Sequence, residues 1–142
     1  MDKSEVAKLE AYLRRTFAND SFNIVPPPRA SEPADVQIGQ VRIGRMLVDD
    51  EEGDRSFNFE MNIPAGSGTG AGMSKAEFTE VEGLLRRILG NQSVRVAARP
   101  KKSDSAEIYL GDEFIGVIYV DGDKGKRSFA FQMAILSEDL DG

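Results

Sequence analysis

Residues 65–73 read AGSGTGAGM, a glycine-rich run close to the middle of a 142-residue chain. Gly66, Gly68 and Ala71 spell G-x-G-x-x-A, which in other chains is a phosphate-cradling turn between a strand and a helix. The competing reading is a tether joining two copies of one module. Sliding the chain against itself decides between them. At an offset of 72 residues, segment 1–64 aligns with segment 73–136 without a gap, and 24 of the 64 positions are identical. EAYLRR (10–15) meets EGLLRR (82–87), GQVRIG (39–44) meets GDEFIG (111–116), and GDRSFNFEMNI (53–63) meets GKRSFAFQMAI (125–135). The glycine run fills the gap between the copies, just before Met73, which aligns with Met1. A dinucleotide loop needs its strand and helix inside one βαβ unit with an acidic residue about 20 positions on. Here the repeat boundary falls through the loop, and the strand expected after the following helix runs into AARPKK (97–102). A Walker loop fails as well, since no Lys-Ser or Lys-Thr follows a correctly spaced glycine pair. The chain therefore divides into a first repeat, 1–64, a Gly-rich linker, 65–72, and a second repeat with a short acidic tail, 73–142. Natural gene fusion and deliberate joining both fit so neat a junction.

Each repeat opens with helical periodicity. Val6, Leu9, Leu13 and Phe17 form one apolar stripe, and Phe78, Val81, Leu85 and Leu89 form its counterpart. Ser4 followed by Glu5 reads as an N-cap leading into an acidic first turn. Asn19 and the pair Gly90–Asn91 read as stops, being residue types that tolerate left-handed backbone angles. The period then changes to two. SFNIV (21–25) and SVRVA (93–97) give a first strand, followed by the Pro-containing loops PPPRASEP (26–33) and RPKKSDS (99–105). ADVQIG and AEIYLG give a second strand, turning at Gly39 or Gly111 into a third, RIGRMLVD or FIGVIYVD. Gly44 and Gly116 lie inside that third strand, where a bulge or a close backbone approach is the usual reason. RSFNFEMNI and RSFAFQMAI give a fourth strand. The expected fold is α+β, two α-β-β-β-β repeats forming an antiparallel-sheet pseudo-dimer. A lone unit of this size is marginal, because it buries only about 60% of its unfolded surface.

The composition closes off much chemistry. The chain has no histidine and no cysteine, which removes the commonest general base, the commonest transition-metal ligand, thiolate nucleophiles and disulfides. No signal peptide pattern opens the chain and no apolar run reaches the roughly 18 to 20 residues of a membrane span, so a cytoplasmic protein is expected. DDEEGD (49–54) and DGDKG (121–125) gather carboxylates, but neither supplies the twelve-residue calcium loop ending in a bidentate Glu. Neither an enzyme, a cofactor nor a metal is expected. A formal charge of −6 also disfavours nonspecific nucleic-acid binding, which comes mainly from Lys and Arg meeting phosphates.

The second copy, above all its RPKK, GDEFIGV and SFAFQMAIL segments, resembles a small family of uncharacterised alphaproteobacterial proteins, each about as long as one repeat. The first copy resembles it more loosely, with PPPRASEP in place of ARPKKSDS and GQVRIG in place of GDEFIG. The resemblance assigns a family and carries over no activity or catalytic residue.

Function is best sought where the copies differ. Val36/Ile108, Ile38/Leu110, Met46/Ile118 and Val48/Val120 stay apolar at alternate sites, as a core face does. On the opposite face Gln37, Arg42 and Arg45 of the first copy become Tyr109, Phe114 and Val117 of the second. That apolar surface either packs against the other copy or stays open as a partner-binding patch. Arg14–Arg15 and Arg86–Arg87 recur beside the apolar stripes, and read as a solvated face near the helix C-terminus, with an anion or partner site as the alternative. The leading expectation is a non-enzymatic protein-interaction or assembly module, binding a protein partner or itself through Tyr109, Phe114, Val117, Arg42 and Arg45. The alternative regroups strands 21–63 with helix 75–89 into the topology of Pur- and coactivator-type single-stranded nucleic-acid binders. Tyr109 and Phe114 would then stack bases, while Arg99, Lys101, Lys102, Lys124, Lys126 and Arg127 meet phosphates.

Overall fold

The apolar stripes and the alternating runs become helices and strands where the sequence places them. The computed structural model describes residues 3–27, 29, 32–49, 55–63, 72–99, 102–121 and 128–141. Helix α1 (Lys3–Thr16) precedes strands β1 (Phe22–Val25), β2 (Ala34–Ile38), β3 (Val41–Asp49) and β4 (Ser56–Ile63). Helix α2 (Lys75–Leu89) precedes β5 (Val94–Arg99), β6 (Lys102–Leu110), β7 (Glu113–Asp121) and β8 (Ser128–Leu136). The architecture is α+β, built from two α-β4 repeats, each with an antiparallel meander. Among the described residues no helix is long and apolar enough to cross a membrane. Residues 65–71 of the linker, and most of the acidic turns at 49–54 and 121–125, lie outside the described residues.

The chain forms two compact units, and their borders fall inside β4 and β8. One unit comprises Met1–Glu60 with Ala134–Gly142, the other Met61–Met133. In the first, Leu9 and Leu13 of α1 and Phe17 just after it are buried with Phe22, Val36, Met46, Phe57 and Phe59. Phe17 stacks on Phe22 with centroids 5.3 Å apart, and Phe22 meets Phe59 edge-on at 6.4 Å. In the second unit, Val81, Leu85 and Leu89 of α2 are buried with Val94, Ile108, Ile118, Phe129 and Phe131. Each fully buried aliphatic or aromatic side chain contributes about 1.5–3 kcal/mol, enough for the apolar face to hold a helix that would be marginal alone. Each helix packs on the first strand of its own repeat, α1 on β1 and α2 on β5.

The border positions are occupied in each unit by the strand end of the other repeat. Met61 and Ile63 are buried members of the second unit, where the Asn62 side chain also donates to Ser128 Oγ at 3.2 Å. Ile135 is buried in the first unit, where Ser137 N–H donates to the Arg55 carbonyl at 3.3 Å. The acidic tail is structured, as the 3-10 turn Ser137–Asp141 packed on α1.

Three local expectations change. Ser4 lies within α1, so it is not the N-cap, and the residue before Lys3 falls outside the described residues. In the second copy the cap is Ser74, whose Oγ accepts from Glu77 N–H while the buried Glu77 carboxylate accepts from Ser74 N–H. The left-handed residue after α1 is Ala18, at φ 50°, rather than Asn19. Asn19 instead accepts the Ser21 N–H on its side chain at 2.9 Å, as Asn91 does for Ser93 at 2.8 Å. Finally, β6 begins at Lys102, inside the segment read as a loop.

The strand glycines have a bulge beside them. Val36 pairs with Gly44 while Gln37 pairs with Arg42, leaving Ile43 as the extra residue. Ile108 pairs with Gly116 while Tyr109 pairs with Phe114, leaving Ile115 in the same place. At Gly116 a Cβ would come 2.5 Å from the Gln132 carbonyl oxygen, so only glycine fits between the strands. The bulge shifts the alternation by one, which puts Phe114 and Val117, three residues apart, on one face.

Candidate functional site

The outer face of the second meander gathers the aromatic residues. Register sets Arg95 of β5 opposite Tyr109 of β6, and Tyr109 opposite Phe114 of β7. One row along, Glu107 lies opposite Val117. Tyr109 and Phe114 meet edge-on, with centroids 5.8 Å apart and planes at 76°. The Arg95 guanidinium carbon sits 5.4 Å from the Tyr109 ring centre, within cation–π range. Arg95 is held there by the Gly111 carbonyl, to which Nε donates at 2.9 Å and Nη2 at 2.6 Å, with Asp112 at 3.8 Å. The Tyr109 hydroxyl donates to Glu107 Oε1 at 3.2 Å. That carboxylate raises the phenol above its ordinary value of 10.0, partial desolvation adding to the effect and Arg95 opposing it. Arg95 and Phe114 thus fix the Tyr109 ring, while Phe114 itself stays 50% exposed.

The matching face of the first meander is ionic. Arg42 pairs with Asp35 at 2.9 Å and Arg45 with Glu60 at 2.9 Å, all on exposed or half-buried side chains. Such surface pairs contribute about 0–1 kcal/mol each. Asn23, at the position of Arg95, donates to the Gly39 carbonyl at 3.0 Å, so the contact to the turn glycine is kept while the cation over a ring is not.

Of the residues singled out in the sequence, Tyr109, Phe114 and Val117 come together on one face. Arg42 and Arg45 lie on the face of the other meander and each has a carboxylate partner. Arg99 donates from Nη1 to the buried Ser105 hydroxyl at 3.1 Å. Lys101, Lys124, Lys126 and Arg127 lie outside the described residues, and Lys102 contributes its backbone to β6. The regrouping of strands 21–63 with α2 is not how the chain is partitioned, since α2 belongs to the unit that holds β5. Sequence reading missed Arg95 and Glu107. Glu107 could have been found as the residue two before Tyr109, on the same strand face, whereas Arg95 depends on the register of β5 against β6, which the reading of 99–105 as a loop left open.

The paired arginines divide in two. Arg15 is exposed and lies over the Tyr12 ring at 5.6 Å, and Arg87 is exposed. Arg14 and Arg86 are not a solvated face. Arg14 Nε donates to the Phe22 carbonyl at 2.7 Å and Arg86 Nε to the Val94 carbonyl at 2.9 Å. One helical turn earlier, Glu10 accepts the Ile24 N–H at 2.8 Å and Glu82 the Val96 N–H at 3.0 Å. Among the described residues no group of three or more Asp or Glu is placed to hold a metal.

A comparison with curated proteins finds no match to the chain. A family model does match, twice, over residues 5–65 and again over residues 77–139. These spans coincide with the two α-β4 repeats, so the chain belongs to the family described as protein of unknown function (DUF3126), as a tandem duplication of its domain.

Proposed function

We propose that the protein is a non-enzymatic interaction module whose docking surface is the outer face of β5, β6 and β7 around Tyr109, Phe114 and Val117. The observation that carries this reading is the exposed Phe114 ring, braced edge-on by a Tyr109 that Arg95 and Glu107 hold in place. A braced, exposed aromatic loses little side-chain freedom on binding, and such residues dominate interface energetics. The equivalent face of the first meander, with its carboxylate-paired arginines, offers no comparable anchor. The cytoplasm is the compartment that the lack of cysteine fits.

The test is affinity capture from a lysate by the full chain and by Phe114→Ser, with and without nuclease. A protein retained after nuclease by the unmodified chain and lost by Phe114→Ser, at an unchanged unfolding midpoint, is the expected result. Equal retention by both chains overturns the assignment of this face. Recovery of nucleic acid, with proteins lost on digestion, selects single-stranded nucleic-acid binding instead.

A further inference from the structure

The outward edges of β1 and β5 carry a device that neither the family assignment nor the docking surface explains. In the described structure β1 pairs only with β2, and β5 only with β6. On the other side of β1 the Phe22 carbonyl and the Ile24 N–H point away from the sheet, and on β5 the Val94 carbonyl and the Val96 N–H do the same. Unpaired groups of this kind are a template for adding another strand. Here Arg14 and Glu10 occupy the pair on β1, and Arg86 and Glu82 the pair on β5, with Arg86 Nη2 also 3.2 Å from Glu82 Oε1. A donor to the carbonyl of one residue and an acceptor for the N–H two residues on is what one residue of a parallel neighbouring strand would supply.

We infer that Glu10/Arg14 and Glu82/Arg86 stand in for a neighbouring strand and guard the two edges against pairing with a second copy of this chain. The spacing explains the choice of residues. Positions i and i+4 on a helix lie on one face, one turn apart, and reach two successive outward groups of the strand beneath. The pair appears in both repeats although the sequence around it differs, EAYLR against EGLLR. The two edges are not equally dependent on it. Strand β1 has four residues and runs into Pro26, which has no N–H to offer. Strand β5 has six residues before Pro100, so its outward-facing Ala98, next to the register shift at Ala98/Arg99, adds an edge position that the pair does not occupy. The β5 edge therefore relies more on its guard.

The test replaces both members on one helix in the full chain, Glu82→Ala with Arg86→Ala, and separately Glu10→Ala with Arg14→Ala. Mass is followed by light scattering across a concentration series, and Val96 N–H exchange by NMR. The α2 variant is expected to reach at least twice the mass of the unmodified chain as concentration rises, with the α1 variant rising less. Glu82→Gln, which keeps an acceptor for the Val96 N–H, is expected to behave as the unmodified chain. A folded α2 variant with the mass of the unmodified chain and faster Val96 exchange overturns the inference. Where the alanine pair fails to fold, Glu82→Met with Arg86→Met keeps the side-chain length and is read the same way. Failure of that variant to fold also overturns the inference, because the pair is then a folding determinant and not a guard.

Discussion

Ala18 and Gly90 occupy the same left-handed position at the ends of equivalent helices, at φ 50° and 66°. Behind both, the next residue turns its N–H back to the helix, Asn19 to Arg14 and Asn91 to Arg86, each at 3.0 Å. The second copy meets this geometry with glycine; the first pays with a Cβ pressed towards its own backbone. Ala18→Gly should therefore stabilise the protein by about 1 kcal/mol, despite the greater freedom glycine gives the unfolded chain, and Gly90→Ala should destabilise it by about as much. The urea midpoint, at constant slope, measures both.

The copies trade places at Ala11 and Gly83. Gly83 is an exposed residue of α2 with nothing within 4 Å of where a Cβ would stand. Its φ raises no objection, and glycine inside a helix costs about 0.5–1 kcal/mol relative to alanine. Gly83→Ala, the residue the first copy already carries, is expected to raise the urea midpoint by that amount and to leave the aromatic face untouched.

Gly116 behaves oppositely. It has no positive φ, so its need for glycine is one of space, with a Cβ landing 2.5 Å from the Gln132 carbonyl oxygen and 3.3 Å from the Phe131 ring. Because both obstacles belong to β8, the strand paired with β7, and one of them is backbone, relief means prising β7 from β8. Gly116→Ala should destabilise by about 1–3 kcal/mol or more, and crosspeaks of Val117 and Gln132 should move most in an amide NMR spectrum.

Tyr109 makes the site readable by pH. Its phenol is raised by the hydrogen bond to Glu107. A raised value means the folded state holds the proton more tightly than the unfolded chain. The stabilisation is then complete below the unfolded value of about 10 and fades as pH climbs through the folded one. Ultraviolet titration of tyrosinate should show one of the three tyrosines ionising later than the others. Glu107→Gln should bring it back towards them, and an unmoved titration would remove Glu107 from the bracing of the ring.

Much of the fold was legible because its signals are local. The stripe Val81–Leu85–Leu89 and the alternation of Phe129, Phe131 and Met133 each follow from residues within a few positions of one another, and both became buried faces. The site was legible only in part. The exchange of Gln37, Arg42 and Arg45 for Tyr109, Phe114 and Val117 was visible, but Arg95 was not, since residues 99–105 read as a loop and left the register of β5 against β6 open, whereas in the structure Arg99 pairs directly with Lys102.

The sequence by itself determined the duplication, the α-β-β-β-β order and the face each strand buries, because helical and strand periods are written in neighbouring residues. Only the tertiary structure decided that Arg14 and Arg86 serve strand edges instead of solvent. It alone also decided that Ala18 takes the strained turn and that residues 61–63 and 134–142 complete the unit opposite to their repeat. Those outcomes depend on which distant backbone groups a side chain or strand end finds within hydrogen-bonding reach, a distance that exists only once the chain has folded.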